Sequence, residues 1–130
     1  MKSRKNISSG SPFEAPIGFS RASRIGNIIS VAGTAPIAAD GSTAAPGDVY
    51  GQTCRCLEII ESAIQQAGAS LSDVIRTRVM LTDISLWQEA GRAHGQFFEN
   101  IRPACTFVEV SSFIKKDWLV EVEADCVVVD

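Results

Sequence analysis

The stretch from Arg102 to Glu123 reads RPACTFVEV, SSFIKKDW and LVEVE, and it constrains the fold more than any other part of the chain. Two of its runs alternate apolar and polar residues, the pattern of a strand with one face buried. The second run puts Glu121, Glu123 and Asp125 on the face opposite Val120, Val122, Ala124 and Cys126. Three acids in a row on one strand face repel one another unless water, hydrogen-bond donors or a partner receive them. What surrounds Glu121 therefore decides what this strand is for.

The segments before it supply the rest of a sheet and two helices. Phe19 to Arg24 and Ile28 to Ala32 are short β-prone runs divided by Gly26-Asn27, a pair suited to a tight hairpin turn with positive φ. The loop from Thr34 to Gly47 carries Pro36, Gly41 and Pro46 and is too rich in breakers to be regular. Asp48 is placed to cap a helix in which Val49, Cys56, Leu57, Ile60, Ala63, Ile64 and Ala67 form one stripe, with Gly68 ending it. Val74 to Thr82 sets Ile75, Thr77, Val79 and Leu81 against Arg76, Arg78 and Met80, a half-buried strand whose helix-length link to the hairpin predicts parallel pairing with it.

Ser85 to Gln88 has the spacing of a capping box, and Leu86, Ala90, Ala93 and Phe97 then recur at helical intervals beside Trp87, His94 and Phe98. Strands from Cys105 to Val110 and from Leu119 to about Val129 complete the order β-β-α-β-α-β-β. This predicts an α/β (α+β) fold, a mixed sheet of about five strands with two helices on one face. The other face has no helix left to cover it, which predicts burial by self-association.

At 130 residues the chain reads as one domain, residues 16–130, behind an N-terminal tail, residues 1–15, either mobile or an edge segment. The tail lacks the apolar core of a signal peptide, no run is long enough to span a membrane, and a cytoplasmic protein is expected. Twelve basic against fifteen acidic side chains give a net charge of −3, which argues against nucleic acid and anionic lipid as partners. Arg76, Arg78, Arg92, Arg102, Lys115 and Lys116 read as solvated charges, without the interleaved aromatics of a base-stacking surface.

The chemical motifs of common enzymes are missing. The sole histidine, His94, lies in the second helix without a nucleophile elbow and reads as a packing side chain. One histidine and scattered cysteines make no metal-ligand set, and no Gly-rich nucleotide loop occurs. Cys54, Cys56, Cys105 and Cys126 read as structural thiols without disulfides. Glu121 and Glu123 remain: a partly buried carboxylate near neutral pH can act as general acid or base, or the acids can pair with Arg76 and Arg78 across the sheet.

The segments GFSRASRIGNIISVAGTAPI, QTCRCLEIIESAIQQAGASLSDVIRTRVMLTDIS, RPACTFVEV and VEVEA together resemble the RidA (YjgF/YER057c/UK114) family of reactive-intermediate deaminases. The match runs from about Pro16 onward, with Gln52, Gly68-Ala69, Asp73-Val74, Thr82-Asp83, Phe97-Phe98, Pro103-Ala104 and Glu121 in order at the family's spacing. The resemblance implies a chorismate-mutase-like fold and a homotrimer with small-molecule clefts between subunits. It also implies hydrolysis of enamines and imines to carbonyl compound and ammonia, with no metal or organic cofactor. Carried over residue by residue, the cleft contains Phe19, Ala32, Gly33, Trp87, Gly91, Cys105, Phe107 and the water-activating Glu121.

Several of these positions depart from the deaminase pattern. Cys105 stands where the family has the arginine that grips a substrate carboxylate, and a neutral thiol cannot reproduce that bidentate grip. Active deaminases usually carry tyrosine at Phe19 and serine at Ala32, and often asparagine at Gly91 and cysteine at Phe107. Lys115 or Lys116 is a candidate replacement cation. Two readings stand side by side: an imine or enamine deaminase with a more apolar cleft and Glu121 as acid/base, and a non-catalytic small-molecule-binding or regulatory trimer. Ribonuclease activity, attached to family members under the endoribonuclease L-PSP name, is disfavoured by the acidic balance and by a histidine set in a helix.

Overall fold

The acid-bearing C-terminal strand lies inside the sheet, between the hairpin and the remaining strands. The computed structural model describes residues 3–129; Met1, Lys2 and Asp130, the outer ends of the expected tail and domain, lie outside the described residues. Strands β1 (Arg4–Ile7), β2 (Ala22–Ile25), β3 (Ile28–Thr34), β4 (Val74–Leu81), β5 (Ala104–Glu109) and β6 (Val120–Val127) form one sheet in the order β1-β2-β3-β6-β4-β5. β4 and β5 run parallel and every other neighbouring pair is antiparallel. Short helix α1 (Glu14–Ile17) precedes β2, while α2 (Val49–Gln66) and α3 (Trp87–Phe98) are the two long helices.

The anticipated β-β-α-β-α-β-β order therefore holds from Ala22 on, giving a mixed α+β sheet of six strands rather than five. The added strand, β1, pairs at the edge with β2 and buries only Ile7, so the sequence RKNI has no alternation to announce it. The expected parallel pairing of Val74 to Thr82 with the hairpin does not occur. β6 inserts antiparallel to both β3 and β4, leaving those two parallel in direction but hydrogen-bonded to β6 instead of each other.

Helix α2 forms where its stripe predicts. The Asp48 side chain accepts a hydrogen bond from Gly51 N at 3.1 Å, a cap worth about 1 kcal/mol. Gly68 at φ +89° ends the helix, and the Ala69 N–H returns to the Ile64 carbonyl at 3.0 Å, so two terminal carbonyls are satisfied in a Schellman arrangement. Cys56, Leu57, Ile60 and Ile64 are fully buried against Ile29, Val79, Val120 and Val122 of the sheet. Each large aliphatic removed from water in this way stabilises the fold by about 1.5–3 kcal/mol.

Two local expectations are corrected. The capping box at Ser85 to Gln88 does not form: Asp83 accepts from both the Ser85 N–H and its hydroxyl, a 3₁₀ turn covers Ile84–Leu86, and α3 starts at Trp87 with no side-chain cap. Ile75 is not on the buried face. A bulge opposite Cys126 and Asp125 absorbs one extra residue of β4 there and leaves Ile75 half exposed, while Val74 takes the buried place. Among the helix-face aromatics of α3, Phe98 is the buried one and Phe97 is only partly covered.

Candidate functional site

The pleat of β6 is as the alternation requires. Val120, Val122, Ala124 and Cys126 are buried under the helices, and Glu121, Glu123 and Asp125 lie half-buried on the open face. Register then tells the three acids apart. Asp125 stands between Ser30 and Arg76 and accepts from the Ser30 hydroxyl at 2.9 Å. Glu123 stands opposite Arg78 and forms a salt bridge with it. Glu121 stands opposite Met80 and has no cation across the strand. The electrostatic problem of the acid row is solved for two of its members and left open at Glu121.

On its other side Glu121 meets the end of β3. A bulge sets Ala32 and Gly33 against a single residue of β6, and the Glu121 Oε1 lies 3.0 Å from where a Cβ on Gly33 would be. Burial pushes the Glu121 carboxyl above the ordinary glutamate range, and the nearby Arg21 guanidinium partly opposes that rise. Arg21 is itself 6% exposed. Its side chain donates to the Gly33 carbonyl at 2.7 Å, to Thr34 Oγ1 at 3.3 Å and to Ser9 Oγ at 3.1 Å, so it clamps the bulge, which stands opposite Glu123 in register and brings Gly33 against the Glu121 carboxylate. The same guanidinium lies 5.5 Å from the Phe19 ring centroid, within cation–π range. Phe19 and Ala32 line a shallow depression on the open face together with Ser23 and Ser30.

The other predicted residues gather elsewhere. Cys105 and Phe107 are paired in register with Thr77 and Val79, which places both on the helix face of edge strand β5. Phe107 meets Trp87 edge-on at 6.4 Å between ring centroids, and its Cζ lies 3.7 Å from a Cβ built on Gly91. Trp87 is half exposed and Cys105 is exposed, so this aromatic wall opens outward. His94 packs against Phe98 and shares a 2.8 Å hydrogen bond with Thr77 Oγ1; burial lowers its pKa and so favours a neutral imidazole.

The predicted residues thus fall into two separate groups, or half-sites. Phe19, Ala32, Gly33 and Glu121 belong to the open face, and Trp87, Gly91, Cys105 and Phe107 to the helix face at the far edge. Along β4, Thr77 beside Cys105 and Met80 beside Glu121 are three residues apart, about 10 Å at strand rise. Glu121 and Cys105 lie on opposite faces of the sheet. Lys115 lies over the Trp118 ring, 5.9 Å from the centroid.

Three residues that matter to this geometry were not among the sequence candidates. Arg21 precedes β2 and differs in nothing visible from a solvated arginine. Met80 becomes significant only through its register with Glu121. Gln52 is fully buried and holds the connection before β6, donating to the Asp117 carbonyl at 2.9 Å and accepting from Leu119 N at 2.8 Å. Among the described residues, no group of three His, Cys, Asp or Glu side chains is arranged to hold a metal ion, and no helix is long and apolar enough to cross a membrane.

Known proteins share both sequence and fold. The family model described as Endoribonuclease L-PSP matches residues 10–128. A RutC family protein of Pyrococcus abyssi is 39% identical over 110 residues, covering 84% of this chain and 86% of the relative. The crystal structure of Rv2704 from Mycobacterium tuberculosis, a member of the YjgF/YER057c/UK114 family, is 48% identical with a TM-score of 0.87, covering 97% of this chain and all of that one. The yjgF gene product of E. coli is 26% identical with a TM-score of 0.82, over 95% of this chain and 98% of the other.

Proposed function

Since the chain belongs to the endoribonuclease L-PSP (YjgF/YER057c/UK114) family, we propose that it is an imine or enamine deaminase whose cleft forms between subunits of a homotrimer. The observation that carries this reading is the state of Glu121: the one acid of its row without a cation opposite, half-buried, with its pKa raised. A carboxyl group so placed is suited to general acid–base work. In the proposed reaction Glu121 takes a proton from water as its oxygen bonds to the C=N carbon. The carboxyl gives that proton to nitrogen, which completes the carbinolamine; the carboxylate then takes the carbinolamine hydroxyl proton and delivers it to nitrogen as the C–N bond breaks, so carbonyl compound and ammonia leave, and an enamine enters the same route as its imine tautomer.

The two half-sites support an intersubunit cleft, because Glu121 needs a wall that its own protomer does not supply. The Trp87–Phe107 pair at the edge of a neighbour would provide it, and exposed Ile25 and Ile28 on the open face favour burial by another copy. With Cys105 at the position of the family arginine and Phe19, Trp87 and Phe107 as walls, the favoured substrate is a neutral, apolar imine, not an amino-acid-derived one. Loss of a desolvated guanidinium anchor would weaken carboxylate binding by about 2–5 kcal/mol.

The non-catalytic binding reading rests on a different observation: the side chains at Phe19, Ala32, Gly91 and Cys105 offer the cleft no hydroxyl, amide or guanidinium group. Ammonia release from a panel of imines separates the two. Turnover of neutral imines, with amino-acid imines gained in Cys105→Arg, fits the deaminase. Saturable ligand binding with no ammonia from either protein fits the binding trimer. Ribonuclease chemistry receives no support from His94, whose ring nitrogen is engaged by Thr77.

A further inference from the structure

A second cavity adjoins the Glu121 half-site through Arg21 and Thr34 but contains none of the predicted cleft residues. It is about 350 Å³, at the small end of the range for metabolite pockets, and is bounded by the Ser9–Phe13 segment, the loop after β3, helix α2 and the connection before β6. Phe13, Ile37, Ile59 and Trp118 give it an apolar body, while Arg21, Arg55 and Lys115 line it with positive charge and no acidic side chain contributes. Glu14 offsets Arg21 and Glu58 contacts Arg55, so Lys115 is the lining cation outside the salt bridges among the described residues. Neither Glu121 nor Cys105, Phe107 or Trp87 is part of its lining.

The polar groups here have capacity to spare. Arg55 uses Nε on the Ile37 carbonyl at 2.6 Å, which fixes the guanidinium at the cavity wall, and one terminal nitrogen makes a 3.4 Å contact with Glu58. Lys115 takes part in neither of the two salt bridges found among the described residues. Trp118 is 3% exposed, and its Nε1 is the one buried side-chain polar atom among the described residues without a hydrogen-bond partner.

The geometry points to a binding site for a small organic carboxylate with an apolar body, its anion held by Arg55 and Lys115 and its hydrocarbon part against Ile37, Ile59 and Trp118. An inorganic anion would leave the apolar lining unused, and a neutral molecule would leave Lys115 without an anionic partner. The site is independent of the deaminase reading, since a chain without imine hydrolysis would present the same cavity.

NMR titration tests it, using the indole N–H signals of Trp118 and Trp87, assigned through Trp87→Phe, and the methyl signals of Ile37 and Ile59. Probes are 3-phenylpropionate, its neutral amide and inorganic phosphate. The expected result is saturable movement of the Trp118, Ile37 and Ile59 signals with the acid, at least tenfold weaker with the amide or phosphate. Lys115→Glu, whose side chain is exposed and whose thermal midpoint should match wild type, should weaken the acid at least tenfold. No saturable movement, movement confined to Trp87, equal affinity for amide or phosphate, or undiminished binding in Lys115→Glu would overturn the proposal.

Discussion

The Glu121 carboxylate occupies the space that a side chain on Gly33 would need, its Oε1 lying 3.0 Å from the position of that missing Cβ. The bulge in β3 brings Gly33 there, and Arg21 holds the bulge through the Gly33 carbonyl and Thr34. The orientation of the acid is thus set by a backbone feature of the neighbouring strand.

Gly33→Ala should accordingly move the carboxylate. The added methyl meets Glu121 Oε1 at 3.0 Å, so the carboxylate has to give by a few tenths of an ångström, at a small cost in folding stability. In the Glu121→Gly background the same substitution should cost clearly less. A double-mutant cycle by chemical denaturation measures the difference, and simple additivity would show that the two residues do not compete for this space.

The pH dependence of stability has a defined sign. Glu121 holds its proton more tightly in the folded state than the usual value of 4.5, so the folded state binds more protons than the unfolded one between 4.5 and the raised value. Stability contributed by Glu121 is therefore lost as pH rises through that interval, and Glu121→Gln should remove this part of the profile. Arg21→Gln should raise the Glu121 titration point further by deleting the opposing positive charge. Carboxyl-carbon NMR titration reads both effects directly.

Gln52 offers a stability test distant from the catalytic proposal. Its side chain satisfies the Asp117 carbonyl and the Leu119 N–H from a fully buried position. Gln52→Ala should destabilise the protein by about 2 kcal/mol or more, because each buried group left unpaired costs about 1–3 kcal/mol. A change well below 1 kcal/mol in urea unfolding would mean that water takes over both bonds.

If the working cleft joins half-sites of two protomers, complementation should occur. Glu121→Gln spoils one half-site and Phe107→Asp the other. After mixed refolding, a fraction of interfaces pairs an intact Glu121 with an intact Phe107, so ammonia release should reappear in a mixture of two inactive variants. Its absence in mixtures shown by mass spectrometry to be hetero-oligomeric would place the whole site within one protomer.

Much of the frame was legible in the chain because local pattern controls it. The alternation in β6 assigned the acids to one face, and Asp48, Gly68 and the α2 stripe marked a helix correctly. The site was legible only as a set of residues. Its arrangement depends on register between distant segments: Met80 opposite Glu121, the bulge that brings up Gly33, and the burial of Arg21 arise where β3, β4 and β6 meet. The bulge that turned Ile75 outward was hidden for the same reason, since the unbroken alternation of Val74 to Leu81 carries no sign of an extra residue. β1 was legible only as one of two alternatives, a mobile tail or an edge segment, because a four-residue edge strand with one buried side chain leaves almost no pattern.

The central claim is that Glu121 moves the proton in imine hydrolysis, and the direct measurement is steady-state ammonia release from a neutral imine by wild type and Glu121→Gln, paired with ligand affinity for each. The expected result is turnover by wild type, a fall in kcat of about 10²-fold or more in Glu121→Gln, and affinity within a few-fold of wild type. Equal turnover by the two proteins, or none by wild type across the panel, would contradict it.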